Sequence, residues 1–194
     1  MATLDSRIRQ PLMSRPLDPA DDATLFIGVT FGKEPWSLEV ERFLRSRAVK
    51  LEEREECWTT VFLLPGKDKF VGFYTTRTIK LNVNDKFRDA FEISKTKARG
   101  MPVQVDACYL VAFGVNVEFQ NQRYASEIHW GLVESLTTGP LRPPFVFLKV
   151  WVDNDRAAWL YHDWEYKTIE EELATRSTDG VELPRWLMVL KVRD

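Results

Sequence analysis

Residues 145–166, FVFLKVWVDNDRAAWLYHDWEY, decide the fold. From Phe145 to Val152 only Lys149 is polar, and the rest is β-branched, aromatic or Leu, as expected of a strand buried on both faces. Asp153-Asn154 breaks the run. An Asp or Asn at that point can accept from amides two or three residues on and start a helix. Ala157, Leu160, Tyr161 and Trp164 then follow at the i, i+3, i+4, i+7 spacing of one helical face. Tyr161 therefore lies on the side of the helix turned toward the strand. An N-capped helix with an inward tyrosine is common in α/β proteins, so a purely structural role stands beside any functional one.

Working outward, Val103–Val117 is the longest strand candidate, and Gly114 near its end marks a place where a ligand can approach the backbone. A loop, Glu118 to Tyr124, leads into a helix whose Ala125, Ile128, Leu132 and Leu136 share one face. Such a strand-loop-helix unit turns helix N-terminal amides toward an anion. Upstream, Trp58–Leu64 and Phe70–Val83 read as a hairpin around Pro65-Gly66-Lys67-Asp68-Lys69. Gly72 in its second strand permits close approach of another backbone. Thr24–Thr30 reads as a short strand. Pro35 then suits the first turn of a helix with Leu38, Phe43, Leu44 and Ala48 on its apolar stripe. Asp85–Met101 mixes Lys86, Arg88, Lys95, Lys97 and Arg99 with acidic residues, and reads either as a solvated loop or short helix, or as an acceptor-side lid. The chain closes with strands at Glu165–Glu171 and Pro184–Lys191 around a polar turn, Thr175–Gly180. No internal repeat is present.

These elements resemble the GNAT superfamily of acyl-CoA-dependent N-acetyltransferases, where a strand, an Asn, a short helix carrying Ala and Tyr, and an aromatic pair recur in this order. Here the last of these is Trp164-Glu165-Tyr166. The resemblance implies a mixed α/β (α+β) GNAT fold over residues 23–194, with a central mixed, splayed six- to seven-stranded sheet flanked by helices. Residues 1–22 would precede it as a flexible arm. In that family a strand parts from its parallel neighbour and pantetheine slots between them, which places Ala112–Val117 opposite Lys149–Val152. The main chain at Phe113, Val115 and Val117 would then meet the cofactor, with Asn154 and Ala157 beside the pantetheine arm. Tyr161 would act as general acid to the departing thiolate.

The family's phosphate-binding pattern is Gln/Arg-x-x-Gly-x-Gly/Ala. Residues Gln120, Asn121, Gln122, Arg123, Tyr124 and Ala125 occupy it, matching at Gln120 and Ala125 and departing at Arg123. An arginine there either adds backbone strain, if its φ is positive, or offers a guanidinium to a phosphate. The run from Gly32 to Ala48 and the ending Pro184–Lys191 are loosely similar to the toxin-type subgroup, which is paired with antitoxins and modifies aminoacyl-tRNA.

The implied activity is transfer of an acetyl group from acetyl-CoA to a primary amine by direct attack. The acceptor stays open among a small molecule, a protein and an aminoacyl-tRNA, as does assembly into a homodimer. The alternative is a GNAT-fold binding module without turnover, suggested by Arg123 and by exposed-looking Trp36, Trp159 and Trp186. Glu118 and Asp106 are the nearest carboxylates to the site, and both read as surface residues.

Composition narrows the choice. The 194 residues are 44% hydrophobic, enough for one domain with a core. The 27 Lys and Arg against 29 Asp and Glu leave no general footprint for nucleic acid, unless Arg77, Lys80, Lys86, Arg88, Lys95, Lys97 and Arg99 gather on one rim. Cys57 and Cys108 lie in strand-like surroundings and read as buried free thiols in a reducing, cytoplasmic setting. His129 and His162 belong to no cluster with metal-ligand spacing, so no metal is expected. The first 22 residues hold three prolines and no apolar stretch of signal-peptide length. No run approaches the ~20 apolar residues of a membrane helix.

Overall fold

The computed structural model describes residues 11–20, 22, 24–66, 69–91, 104–139, 143–172 and 184–192. Along the chain come β1 (Met13–Pro16), α1 (Pro35–Phe43), a π-helical turn (Leu44–Ala48), α2 (Val49–Glu53), β2 (Trp58–Leu64) and β3 (Lys69–Asn82). Next are α3 (Asp85–Ala90), β4 (Gln104–Val115), a 3₁₀ turn (Val117–Phe119) and α4 (Tyr124–Thr138). The last are β5 (Phe145–Trp151), α5 (Asp155–Asp163), β6 (Lys167–Glu172) and β7 (Arg185–Lys191). The hairpin-turn residues Lys67 and Asp68, the basic residues Lys95, Lys97 and Arg99, and the Thr175–Gly180 turn lie outside the described residues.

Seven strands make one sheet in the order β1-β2-β3-β4-β5-β7-β6. β4 and β5 pair in parallel and every other neighbouring pair is antiparallel. Side chains alternate across the pleat, so the two faces collect different partners. Val146, Leu148 and Val150 join Ile128 and Leu132 of α4 and Ala158 of α5 on one face. Phe145 and Phe147 point the other way, onto Phe87 of α3 with Leu187 and Val189. On that second face a separate cluster sets Phe43, Leu44 and Ala48 against Val61, Phe73 and Ala112. Each cluster thus seals part of the sheet with a helix, the usual route by which amphipathic elements bury their apolar sides.

Three sequence expectations are corrected. Residues Met13–Pro16, read as part of an arm, form an edge strand on β2. Burial of Leu17, a hydrogen bond from the Leu17 amide to the Thr59 carbonyl (2.8 Å) and a two-pronged Arg15–Asp22 ion pair hold this segment down. Thr24–Thr30 is a succession of turns instead of a strand, with Gly28 at φ 75° and the Ile27 and Val29 amides donating hydrogen bonds to carbonyls three residues back. That path puts Phe26 and Val29 in the core and leaves Ile27 outside. The final antiparallel pair begins at Lys167, because Glu165 takes φ 66° and closes α5, with the Tyr166 amide returning to the Tyr161 carbonyl (3.0 Å).

Cys57 and Cys108 are free and buried. Burial pushes the Cys108 thiol up to about 12. Neither reads as a nucleophile. Among the described residues no helix is long and apolar enough to cross a membrane, and no cluster of His, Cys, Asp or Glu is built to hold a metal.

Candidate active site

The parallel ladder between β4 and β5 runs only from Ala107 opposite Phe145 to Leu110 opposite Leu148. β4 continues to Val115 and β5 to Trp151 without pairing. The cause lies in β4 itself. Thr75 of β3 faces Ala112 while Thr76 faces Leu110, so Val111 is an extra residue, and such a bulge bends its strand and ends regular pairing. The two strands thus stop pairing with each other before Ala112–Val117 and Lys149–Val152, and the space between these segments is the candidate cleft.

Main-chain direction within the cleft follows from pairing to β3. The Asn116 amide donates to the Val71 carbonyl (2.8 Å), so by alternation Val115 and Phe113 turn their main-chain groups to the β5 side. The Val115 carbonyl there accepts from Gln120 Nε2 (3.1 Å). Val117 is placed differently. Its amide donates to Thr30 O (2.8 Å) and its carbonyl accepts from the Gln120 amide (3.3 Å), so its main chain is already engaged. Gly114 is also reassigned: a Cβ there would lie 2.6 Å from the Phe31 ring and 2.9 Å from Phe73, so its smallness serves packing behind the cleft.

α5 forms the β5-side wall. Asn154 caps it, its Oδ1 accepting from the Ala157 amide (3.2 Å), and its Nδ2 makes no hydrogen bond among the described residues. Tyr161 stands on the inner face, half-buried. Its ring meets Trp164 and Tyr166 edge-on, with centroids 5.7 and 5.4 Å away. Its hydroxyl has no hydrogen-bond partner among the described residues, and burial pushes its pKa above the ordinary phenol value. The phenol therefore carries its proton at neutral pH.

The loop from Gln120 to Arg123 is anchored on several sides. Gln120 Nε2 also donates to Phe31 O (2.8 Å), and Gln122 Nε2 donates to Glu118 O (2.9 Å). Asn121 and Arg123 both adopt left-handed backbone, at φ 61° and 64°. Arg123 thus sits in the left-handed region that favours glycine. Its side chain is exposed and without a hydrogen bond or ion pair among the described residues. Tyr124 is buried against Phe119, with centroids 5.9 Å apart, and half-buried Ala125 packs on the α4–α5 core, so both side chains support the fold.

Sequence reading missed two residues. Arg156 of α5 donates from Nη2 to Asn121 Oδ1 (2.7 Å) and from Nη1 to Gln120 Oε1 (3.3 Å), tying the helix to the loop. An arginine in the first turn of a helix carries no signal of such a partner. His129 is the other. It is fully buried, stacked on Trp164 at 4.1 Å, with Nε2 3.3 Å from the Tyr166 hydroxyl and no partner for Nδ1 among the described residues. Burial pushes its pKa down to about 4, against 6.5 for a free histidine. Below 6.5 the unfolded chain binds a proton that the folded chain refuses, so stability falls with acidification from 6.5 to about 4 and levels below. The slope contributed is at most about 1.4 kcal/mol per pH unit. Urea unfolding across that range should show it, and His129→Gln should flatten it; equal slopes in both proteins would place the titration elsewhere.

Glu118 and Asp106 are paired on the surface with Lys69 (2.7 Å) and Lys80 (2.6 Å). Of the basic residues that a nucleic-acid rim would need, Lys95, Lys97 and Arg99 lie outside the described residues and the others are engaged. Lys86 pairs with Glu170 and Arg88 with Asp85, while Arg77 stacks on Tyr109. Of the three tryptophans expected outside, Trp159 is exposed, whereas Trp36 and Trp186 are half-buried.

No protein-family model matches the chain, and no curated protein matches it by sequence. Solved structures do. A mutant of the protein KacT superposes with a TM-score of 0.67 at 13% identity, covering 94% of this chain and 96% of its own. AtaT, in complex with acetyl-methionyl-tRNAfMet, gives 0.65 at 15% identity over 90% and 93% of the two chains. Arabidopsis thaliana NAA60 bound to a bisubstrate analogue gives 0.64 at 14% identity over 94% and 99%. The chain has the GNAT fold.

Proposed function

We propose that the protein is a GNAT-type N-acyltransferase moving an acetyl group from acetyl-CoA to a primary amine by direct attack. The observation that carries this reading is the cleft between β4 and β5 beyond Leu110 and Leu148, with Tyr161 on the adjoining helix. Similarity to AtaT and NAA60, both solved with acetyl-CoA, supports it. The chain's own residues fit such a cosubstrate. Phe113 offers main-chain groups and Val115 its amide on an edge not paired to β5, while among the described residues Asn154 Nδ2 and the Arg123 guanidinium at the start of α4 make no hydrogen bond or ion pair.

Acetyl-CoA supplies an acyl carbon activated as a thioester. Amides on the unpaired edge of β4 are placed to donate to carbonyl oxygen as negative charge develops on it. Tyr161, held protonated by burial, hands its proton to the departing sulfur. With Glu118 and Asp106 held in surface ion pairs, the amine loses its proton through water. The acceptor is an amine on a small molecule, a protein or an aminoacyl-tRNA.

Calorimetric titration with acetyl-CoA, followed by release of free CoA thiol against a panel of amines, tests the reading. Binding with amine-dependent release is expected. Absence of binding at high acetyl-CoA concentration would identify a non-catalytic module.

Arg123→Gly separates the two roles open to this side chain. Removing a side chain from φ 64° should raise stability by up to ~1 kcal/mol. Loss of the guanidinium should weaken acetyl-CoA binding by roughly 1–2 kcal/mol and reduce its salt dependence. An unchanged dissociation constant in the variant would put Arg123 outside the site.

A further inference from the structure

The open end of the cleft is spanned by side chains from both faces of the sheet. On the α4–α5 face, Arg156 reaches Gln120 Oε1 (3.3 Å) and Asn121 Oδ1 (2.7 Å), and Gln120 is itself fixed to the Val115 carbonyl at the end of β4. This links the β5-side helix to the β4 wall. On the opposite face, Glu39 projects from α1, the helix whose Val40 and Phe43 belong to the cluster over Ala112 of β4. It accepts from Trp151 Nε1 (2.8 Å) at the end of β5, and from Arg185 Nη2 (3.1 Å) at the start of β7. Arg185 in turn lies over the Trp151 ring at 4.2 Å. The two bridges share no partner. Each runs from a β4-side element to a β5-side element across strands that no longer hydrogen-bond to each other.

We propose that Arg156 and Glu39 are positioning residues that together set the separation of the two cleft walls. Beyond Leu110 and Leu148 the two strands share no ladder, and among the described residues the polar links between their ends are these two side-chain bridges, beside the packing of Phe113 on Trp164. Either bridge restrains the walls on its own face. With one removed the other still limits opening, whereas removal of both leaves each strand end held by its outer neighbour, β3 or β7, and no longer by a polar link to the other wall. A ligand lying between them must then order the walls as it binds, which costs affinity.

This inference rests on the acyltransferase reading for its ligand, and the test separates the two. Acetyl-CoA affinity is measured for the parent, Glu39→Ala, Arg156→Ala and the double variant, alongside amide hydrogen exchange of the ligand-free proteins at Leu110 and Leu148. Each single change should raise Kd about threefold, and the double change about tenfold beyond the product of the singles. Residues without shared partners ordinarily act additively, so this coupling is what a pair of independent contacts would not give. Exchange at Leu110 and Leu148 should accelerate most in the double variant. Glu39→Gln, which keeps an acceptor for Trp151 and Arg185, should restore Kd to near the parent value. Strictly additive effects, a tighter complex in Arg156→Ala, or unchanged exchange in the double variant would each overturn the proposal. If the parent fails to bind acetyl-CoA, the functional reading has failed, and the exchange measurement alone decides for or against the bridges.

Discussion

Tyr161→Phe is expected to lower release of CoA thiol by about 10²-fold or more while leaving the fold and the acetyl-CoA dissociation constant nearly unchanged. The ring keeps its edge contacts with Trp164 and Tyr166, and the lost hydroxyl breaks no hydrogen bond among the described residues. The split between binding and turnover is the useful signature. A packing tyrosine would change stability and leave turnover alone, whereas a proton donor used only as the thiolate departs would change turnover and leave affinity alone. Equal rates in parent and variant would remove Tyr161 from the mechanism.

Gly72→Ala should destabilise the protein by about 2–3 kcal/mol, a large loss for a change of one methyl group. A Cβ at Gly72 would stand 2.5 Å from the Gly114 carbonyl oxygen and 2.7 Å from Cδ1 of Ile128. Neither neighbour can retreat cheaply: the first is backbone of β4, and the second is a fully buried side chain of α4. Relief would have to come from pushing β4 or α4 outward. Because β4 is one wall of the cleft, acetyl-CoA affinity should fall along with the urea midpoint. A variant as stable as the parent would show that the β3–β4 contact is looser than its geometry.

The second half of the candidate site was legible in residues 145–166 because its physics is local. A solid apolar strand, an Asn cap and a helical stripe are each specified within a few residues, and Asn154 caps α5 as its position predicts. Gly72 was legible for a similar reason, since a glycine inside a strong strand pattern marks close approach. Gly114 carried the same signal and a different meaning. Its neighbour is Phe31, more than eighty residues away along the chain, and no pattern around Gly114 announces that ring. The missed strand at Met13–Pro16 has the same origin. A proline-containing segment of low hydrophobicity becomes ordered only because β2 offers an open edge and Asp22 returns to Arg15.

By itself the sequence determined where the strands and helices of the cleft lie, which residue caps α5, and which face carries Tyr161, because periodicity and capping act over single turns of chain. Tertiary structure alone decided the rest. Whether Arg123 is strained depends on a φ that its place before α4 imposes, and the width of the cleft depends on a bulge at Val111 visible only in register with β3. The side chains that span it, Arg156 with Gln120 and Asn121, and Glu39 with Trp151 and Arg185, meet across 35 to 146 positions of sequence. Contacts of that separation arise from the packing of whole elements, so no local pattern encodes them.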